Sequence, residues 1–224
     1  MASVSYVVLR DAGMAGTDGS ADEFRLKRLI DIVGSLAGLI FLAPLLIVIA
    51  LLIWTVGDGP VIYSHERIGR GGQSFNCLKF RTMMMRSDEY LSHLLQSDPV
   101  ARDEWLALYK IRRDPRITPF GRFLRRTSID ELPQLFNVLK GEMSLVGPRP
   151  IVLSETAKYG RYIVNYSKVK PGITGLWQVS GRNKTTYRRR VALDVMYSRR
   201  KSLWMDIWIL FLTIRTIVGG EGCY

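Results

Sequence analysis

The chain has 224 residues, of which 47% are hydrophobic, and its formal net charge at pH 7 is +12. This length is enough for one domain of moderate size with a hydrophobic core, plus a membrane element. The positive charge implies anionic partners, and nucleic acid, anionic lipid and phosphate-bearing substrates all qualify. Two cysteines and two histidines without metal-ligand spacing argue against a zinc site and a disulfide framework, and they fit a reducing cytosolic compartment.

The N-terminal region divides into a polar tail and a long apolar segment. Residues 1–24 are rich in Ala, Gly, Ser and Asp, and we expect a mobile tail there. No charged residue occurs from Ile32 to Val56, and this run exceeds the roughly 20 residues that a helix needs to span a bilayer. It is also longer than the apolar core of a signal peptide, which has about 7–15 residues. We therefore expect residues 25–57 to remain in the mature protein as a membrane element.

Two arrangements of this membrane element are open. Pro44 lies near its midpoint, where it removes one backbone hydrogen bond and favours a kink. Basic residues flank both ends, including Lys27 and Arg28 before the segment and Arg67 and Arg70 after it, so the positive-inside rule gives no direction. The segment can be a kinked transmembrane anchor. Alternatively, it is a helix–break–helix that enters and leaves on the same face of the membrane.

The remainder, residues 58–224, reads as one compact catalytic domain of the α-rich α/β class with few short strands. The pattern predicts a hairpin of Val61–Tyr63 and Phe75–Phe80 around a glycine-rich loop. Helices are predicted at Ser87–Tyr109 with an interruption around Asp98-Pro99, and at Phe120–Arg126, Asp130–Lys140, Ile151–Val164 and Thr186–Tyr197. Leu203–Val218 predicts a C-terminal helix that is either interfacial and amphipathic or packed in the core.

Two adjacent carboxylates, Asp130 and Glu131, are the most informative feature of this domain. They lie among arginines, and such a pair can divide roles, one oxygen attacking an electrophile while the neighbour holds a divalent cation. A structural interpretation is also open, because Ser128 followed by Glu131 matches a helix capping box. In a further alternative the helix begins at Asp130 and offers its N–H groups to an anion. In both cases the helix is expected to end at Lys140-Gly141.

Several long motifs, found in order, give the chain a resemblance to a known family. From about Lys27 to Tyr224 it resembles the bacterial sugar transferases, the monotopic phosphoglycosyl transferases. The residues that carry the resemblance are Gly59-Pro60-Val61, Lys79-Phe80-Arg81-Thr82-Met83, Asp114-Pro115-Arg116-Ile117-Thr118, Arg125 to Gln134, Gly141 to Pro150, and Lys170 to Val179. Long strings of this kind are highly specific, so they outweigh the structural interpretation of the acidic pair.

The resemblance implies a reaction and a membrane topology. A sugar phosphate passes from a nucleoside diphosphate-sugar, usually a UDP-sugar, to undecaprenyl phosphate, and UMP is released. The reaction takes place at the cytoplasmic face of the bacterial inner membrane, where anionic lipids are further partners. The topology implied is re-entrant, with its break at Pro44. One departure is visible: many members have serine before this proline, whereas this chain has Ala43, so the bend depends more on neighbouring groups.

The resemblance also assigns roles to site residues. Asp130 falls on the covalent nucleophile, and Glu131 would bind Mg²⁺ or assist the second step, so both acids are the predicted metal ligands. Arg149 lies between two prolines and looks like a phosphate or nucleotide contact. The other predicted substrate-binding residues are Lys79, Arg81, Arg112, Arg116 and Arg126.

Two competing functions and several unknowns remain at this stage. A membrane-tethered nucleic-acid-binding protein also explains the charge, but the aromatic residues are not interleaved with a basic stripe as stacking platforms would be, so we expect no nucleic-acid partner. A transferase that moves only the sugar would release UDP instead of UMP. The identity of the sugar is open among galactose, glucose and N-acetylated sugars. Whether the protein is a monomer or a homodimer is also open.

Overall fold

The computed structural model of the protein describes residues 21–56, 59–108, 111, 114–181 and 185–218. The α-helices, in chain order, are α1 (Ala21–Val56), α2 (Ser87–Ser97), α3 (Pro99–Leu108), α4 (Pro119–Thr127), α5 (Gln134–Lys140), α6 (Thr156–Tyr159), α7 (Ile163–Ser167), α8 (Leu176–Val179), α9 (Tyr187–Arg200) and α10 (Leu203–Val218). The strands are β1 (Ile62–Ile68), β2 (Ser74–Phe80), β3 (Ser144–Val146) and β4 (Gly172–Thr174). The prediction of a helix-rich domain with a few short strands is confirmed.

Two separate two-stranded sheets form the β structure. β1 and β2 pair in antiparallel register, with Tyr63 opposite Lys79, and this confirms the predicted hairpin. Its turn includes Gly71 at φ 68°, a left-handed conformation that glycine adopts without strain. β3 and β4 pair in parallel, and the sequence did not predict them. Three-residue strands are too short to show a reliable alternation of polar and apolar residues.

Helix α1 is long, apolar and largely exposed. By length and composition it is able to cross a membrane, and only 11% of its most apolar stretch is buried against the rest of the protein. The predicted helix–break–helix takes the form of a single helix with Pro44 inside it. Pro44 has no N–H to donate to the preceding turn, so the proline is the point where this helix bends most readily. A membrane is the medium that suits such an exposed apolar surface.

The N-terminal third of α1 packs closely on the globular part of the protein. Small residues line the packed face: a Cβ at Gly34 would lie 2.8 Å from a Leu145 methyl group, and Ser35 is fully buried. Small side chains let two backbones approach closely. The Arg28 guanidinium donates hydrogen bonds to the carbonyl oxygens of Val138 and Leu139, at 2.6 and 2.8 Å. Arg28 thereby adds donors to the last carbonyls of α5, of which that of Val138 also accepts from the Gly141 N–H.

The C-terminal end of α1 returns to the same globular part. Ile49 and Ile53 are buried against Phe80 of β2 and Leu124 of α4. The Arg81 guanidinium donates to the carbonyl oxygen of Ile53 at 3.2 Å. Both ends of α1 therefore contact the same globular part of the protein. A straight helix of 36 residues would be about 54 Å long, at about 1.5 Å per residue.

The segment around the acidic pair differs from both capping hypotheses. Ile129–Glu131 forms a short 3₁₀ turn, and α5 begins only at Gln134, after Pro133. Ser128 adopts φ 59° and makes no side-chain cap, so the predicted capping box is wrong. The predicted helix start at Asp130 is also wrong, because Asp130 lies within the 3₁₀ turn and α5 begins only after Pro133. The predicted helix end is confirmed, with Gly141 at φ 86°.

In the C-terminal third of the chain, one predicted helix is wrong and two predicted helices are confirmed. The stretch predicted as a helix over Ile151–Val164 is broken into short 3₁₀ and α-helical turns before α7. Helix α9 begins after Thr186, whose side chain accepts a hydrogen bond from the Arg189 N–H. Helix α10 is two-sided: Ile209 is fully buried, whereas Trp204 is 77% exposed. The exposed apolar face of α10 fits the hypothesis that this helix lies in the membrane interface.

Candidate active site

Asp130 and Glu131 lie on the 3₁₀ turn between α4 and α5, facing strand β2. Asp130 is only 7% exposed, whereas Glu131 is half-buried. The Lys79 ammonium group, on β2, donates to Glu131 Oε1 at 2.5 Å. The turn therefore holds one carboxylate in an ion pair and the other in a more enclosed position.

The environment of Asp130 raises its pKa to about 6. Burial is the largest cause, because it disfavours the charged form, and the negative charge of Glu131 adds to it. The positive charges of Lys79 and Arg125 act in the opposite direction. The carboxylate is therefore mostly ionised at pH 7 yet poorly solvated, which suits a nucleophile.

Asn137 fixes α5, the helix that follows the acidic turn, against the strand that carries Lys79, and it is not among the residues predicted from the sequence. It is fully buried on α5. Its Oδ1 accepts from the Leu78 N–H at 3.0 Å, and its Nδ2 donates to the Asn76 carbonyl at 2.7 Å and to Glu142 at 2.6 Å. These bonds satisfy the whole amide group, so α5 and β2 are held in one relative position. The sequence signal that could have identified Asn137 is its position between apolar residues in a predicted helix.

Arg149 belongs to a second basic group beside the hairpin. Its guanidinium lies 5.9 Å from the centre of the Trp177 ring, and that of Arg190 lies 5.0 Å from the same ring. Arg67 donates to the Pro150 carbonyl at 3.4 Å, and its pKa is lowered first by burial and then by the charge of Arg149. Arg190 is buried and forms ion pairs with Asp194, at 3.9 Å from its Nε, and with Glu155, at 3.8 Å from its Nη1. Its Nε and Nη2 make no hydrogen bond, so the guanidinium keeps donor capacity for a further acceptor.

The acidic turn and this arginine group both act on one buried residue of β2. Burial raises the pKa of the Cys77 thiol; the charge of Glu131 raises it further, and the charges of Lys79, Arg67 and Arg149 lower it. Both groups therefore lie within electrostatic range of Cys77. Such an arrangement places a nucleophile beside several cations that can hold phosphate oxygens.

The structure places the other predicted site residues in different settings. Arg116 forms a buried two-point ion pair with Asp114, with nitrogen–oxygen distances of 2.8 and 2.7 Å. Arg81, which directly follows β2, contacts the C-terminal end of α1 through the Ile53 carbonyl. Arg126 is exposed on the last turn of α4. Arg112 lies outside the described residues. Arg125, which is not among the predicted contacts, donates to Thr82 at 2.9 Å and acts on Asp130 through its charge.

The acidic pair fits a Mg²⁺ site of the open kind. Among the described residues no group of three or more acidic, cysteine or histidine side chains could form a closed metal cage. Mg²⁺ is commonly bound by one or two carboxylates together with waters and substrate phosphates. Asp130 and Glu131 would supply those carboxylates, and the substrate would supply phosphate oxygens as the remaining ligands.

An acidic pair held by a lysine near arginines is suited to anionic ligands, and a long exposed apolar helix is suited to a membrane. Residues 22–220 match the sequence model of the family described as "Bacterial sugar transferase". The chain belongs to this family, and the resemblance drawn from its motifs is confirmed.

Three relatives illustrate the similarity. The chain is 53% identical to the undecaprenyl-phosphate galactose phosphotransferase of Salmonella typhimurium over 199 residues, which are 89% of this chain and 42% of that protein. It is 50% identical to the UDP-galactose-lipid carrier transferase of Erwinia amylovora, with the same coverage. It is 46% identical to the exopolysaccharide production protein ExoY of Rhizobium meliloti, over 88% of each chain. This chain thus spans less than half of the first two relatives and nearly all of the third.

Proposed function

We propose that this protein transfers a sugar-1-phosphate from a UDP-hexose to undecaprenyl phosphate and releases UMP. The product would be the first lipid-linked sugar of an exopolysaccharide or related glycan. The observation that carries the proposal is the acidic turn itself: a buried carboxylate beside an ion-paired one, with the positive charges of Lys79 and Arg125 acting on it. The names of the Salmonella and Erwinia relatives, which refer to galactose, undecaprenyl phosphate and a lipid carrier, support this substrate class.

The proposed reaction has two displacements at the same phosphorus atom. In the first, an Asp130 carboxylate oxygen attacks the sugar-bearing β-phosphorus, and the bond to the bridging oxygen breaks, so UMP departs with that oxygen. In the second, a phosphate oxygen of undecaprenyl phosphate attacks the aspartyl phosphosugar. The diphosphate-linked sugar forms, and the Asp130 carboxylate is restored. Two steps let one site serve a water-soluble substrate and a lipid substrate in turn.

The neighbouring residues have roles that follow from charge. Lys79 holds the Glu131 carboxylate in place and offsets its charge, which otherwise would repel the diphosphate. Arg149 and Arg190 lie close enough to Trp177 to be oriented by its ring, and they would bind phosphate oxygens. Bound Mg²⁺ would neutralise phosphate charge and polarise the anhydride.

We also propose that α1 is a re-entrant membrane helix that leaves both of its ends on the cytoplasmic side. The support is that both ends contact the same globular body, through Arg28 at one end and Ile49 and Ile53 at the other. A helix that spans a bilayer of about 30 Å would carry one of these ends to the opposite side. Pro44 would supply the bend.

Nucleotide release from a panel of UDP-sugars tests the reaction. The purified protein is given Mg²⁺ and undecaprenyl phosphate, beside Asp130→Asn and the control Asp103→Asn, which removes an exposed acid of α3. We expect steady UMP release with one or a few sugars in the native protein and the control, and none in Asp130→Asn. Release of UDP would indicate transfer of the sugar alone. Undiminished UMP from Asp130→Asn would remove this residue as the nucleophile.

A further inference from the structure

A basic cleft lies at the N-terminal end of α1, away from the acidic turn. It encloses about 710 Å³, part of which is open to solvent. Residues from α1, from the turn after β1, from the segment before β4 and from the start of α10 line it. Its lining includes three acidic residues and six basic ones: Lys27, Arg28, Arg70, Lys168, Lys170 and Lys201.

Two of the three acidic residues that line the cleft, Asp206 and Asp31, already accept hydrogen bonds. Asp206 accepts from the Lys27 ammonium group at 2.5 Å and from the Tyr197 hydroxyl at 2.7 Å. Asp31 accepts from the Ser144 hydroxyl at 3.0 Å and from a backbone N–H. These carboxylates therefore have little capacity left to neutralise the other cations.

Several cations of the cleft lie close to one another, and the basic residues of the lining outnumber the acidic ones. The ammonium groups of Lys168 and Lys170 have no hydrogen-bond or ion-pair partner in the described part of the chain. Lys170 Nζ and Arg28 Nη2 both lie 3.5 Å from the position of a Cβ at Gly141, so they are close neighbours. Burial lowers the pKa of Lys170, and the charges of Arg28, Arg70 and Lys27 lower it further, whereas the charge of Asp31 acts in the opposite direction. Like charges held this close are stabilised by a bound anion.

We propose that this cleft binds the phosphate group of an anionic phospholipid headgroup, with Arg70, Lys168 and Lys170 as its contacts. The assignment rests on the proposed membrane association of α1, and it is independent of the sugar-phosphate chemistry. A basic pocket at the foot of a membrane helix is the type of site that anionic headgroups occupy.

The position of the cleft supports a lipid as the source of the phosphate. Leu203 at the start of α10 lines the cleft, and Trp204 and Trp208 on the same helix are exposed. Exposed tryptophans favour the headgroup region of a membrane. On the other side, Leu29, directly after Arg28, is exposed, and exposed apolar residues continue along α1. Acyl chains could therefore follow these residues while the headgroup stays in the cleft.

The cleft is distinct from the candidate active site. Arg28 contacts the C-terminal end of α5, whereas the acidic turn precedes its N-terminal end. The seven residues of α5 separate the two places by about 10 Å, at about 1.5 Å per residue. A bound headgroup would fix α1 against α5 without occupying the position of the reacting phosphates.

A thermal-shift titration tests the proposal. The full chain in detergent micelles is titrated with short-chain phosphatidylglycerol, short-chain phosphatidylcholine or inorganic phosphate, and the midpoint of unfolding is measured. The double variant Lys168→Gln/Lys170→Gln is compared with Arg161→Gln/Arg189→Gln, which loses the same charge at exposed positions outside the cleft. The single variant Arg70→Gln is a second probe, in case the double variant does not fold.

We expect phosphatidylglycerol to raise the midpoint of the native protein and of the exposed-site control. The double variant should need at least about tenfold more of it and Arg70→Gln about fivefold more, because each basic residue near an anionic lipid contributes about one kcal/mol. An equal response of native protein and cleft variants would overturn the site. An equal response to inorganic phosphate, or to phosphatidylcholine, would overturn the headgroup assignment. UMP release from the same preparations separates a failure of the proposed reaction from a failure of this site.

Discussion

The buried carboxylate of Asp130 links reactivity to pH. Its pKa of about 6 means that the ionised form, which attacks phosphorus, is lost as the pH falls below that value. We expect kcat/KM for UMP release to drop about tenfold per pH unit below pH 6. A rate profile between pH 4.5 and 8 measures this. A profile that stays flat down to pH 4.5 would contradict the pKa or the role of Asp130.

The same raised pKa predicts how Asp130→Asn changes stability. Because the folded carboxyl has a higher pKa than the unfolded one, the folded protein binds its proton more tightly, and stability declines as the pH rises from about 4 to 6. Above pH 6 the ionised, poorly solvated Asp130 costs roughly 1–3 kcal/mol. Asp130→Asn should therefore raise the melting temperature at pH 7.5 and leave it almost unchanged at pH 4. Asp103→Asn should change neither value, since that acid is exposed.

Arg149 and Arg116 should respond differently to substitution. Arg149 has a cation–π contact with Trp177 and no ion pair among the described residues, so we expect Arg149→Gln to lower kcat/KM by about 10–1,000-fold with little change in melting temperature. Arg116→Gln breaks the buried pair with Asp114, so it should cost roughly 3–5 kcal/mol of stability.

A double-mutant cycle checks the predicted contribution of the Arg116–Asp114 ion pair to stability. Asp114→Asn should destabilise about as much as Arg116→Gln, and the double variant should lose less than the sum of the two. Additive losses would show that the two residues act independently. A full loss of activity in a stable Arg116→Gln protein would instead return Arg116 to the substrate site.

At the scale of elements, the connection between α5 and β2 determines the geometry of the site. Asn137→Leu leaves the Leu78 N–H and the Asn76 carbonyl without their partner, so we expect a loss of roughly 2–4 kcal/mol. Asn137→Asp keeps an acceptor for the Leu78 N–H but cannot donate, so its loss should be intermediate. Thermal unfolding and UMP release are measured together. An unchanged melting temperature in Asn137→Leu would refute the proposed connection.

The two short sheets differ in how visible they are in sequence. The hairpin was predictable because its glycine-rich turn and seven-residue strands are encoded locally. β3 and β4 pair across a long separation, and their three-residue strands form only because Gly147 and Gly172 let two backbones meet: a Cβ at Gly172 would lie far too close to the Gly147 backbone. Local pattern carries no information on such a long-range approach.

For the whole molecule, the topology of α1 has an accessible test. In a background without native cysteines, Ala21→Cys and Thr55→Cys place single thiols at the two ends of the helix. A re-entrant helix exposes both to a membrane-impermeant maleimide in inside-out vesicles and neither in intact spheroplasts. A transmembrane helix would expose one thiol on each side. Pro44→Ala in the same background should shift labelling toward opposite sides if the proline provides the bend.

The sequence by itself determined the family, the acidic pair, the long apolar segment, the hairpin and most of the longer helices. These features depend on contiguous motifs and on periodicity, which are local properties of the chain. The end of α5 at Gly141 was equally local, since glycine is the residue that adopts φ 86° there most easily.

Only the tertiary structure decided the settings of the individual side chains. Arg116 and Arg149 look alike in sequence, yet one is paired with a buried Asp114 and the other is held by Trp177. The raised pKa of Asp130 depends on burial by distant segments, and the basic cleft collects residues that lie up to about 180 positions apart. Burial and charge act through space, so a linear pattern identifies the candidate residues, whereas the packing of the chain determines which of them act together.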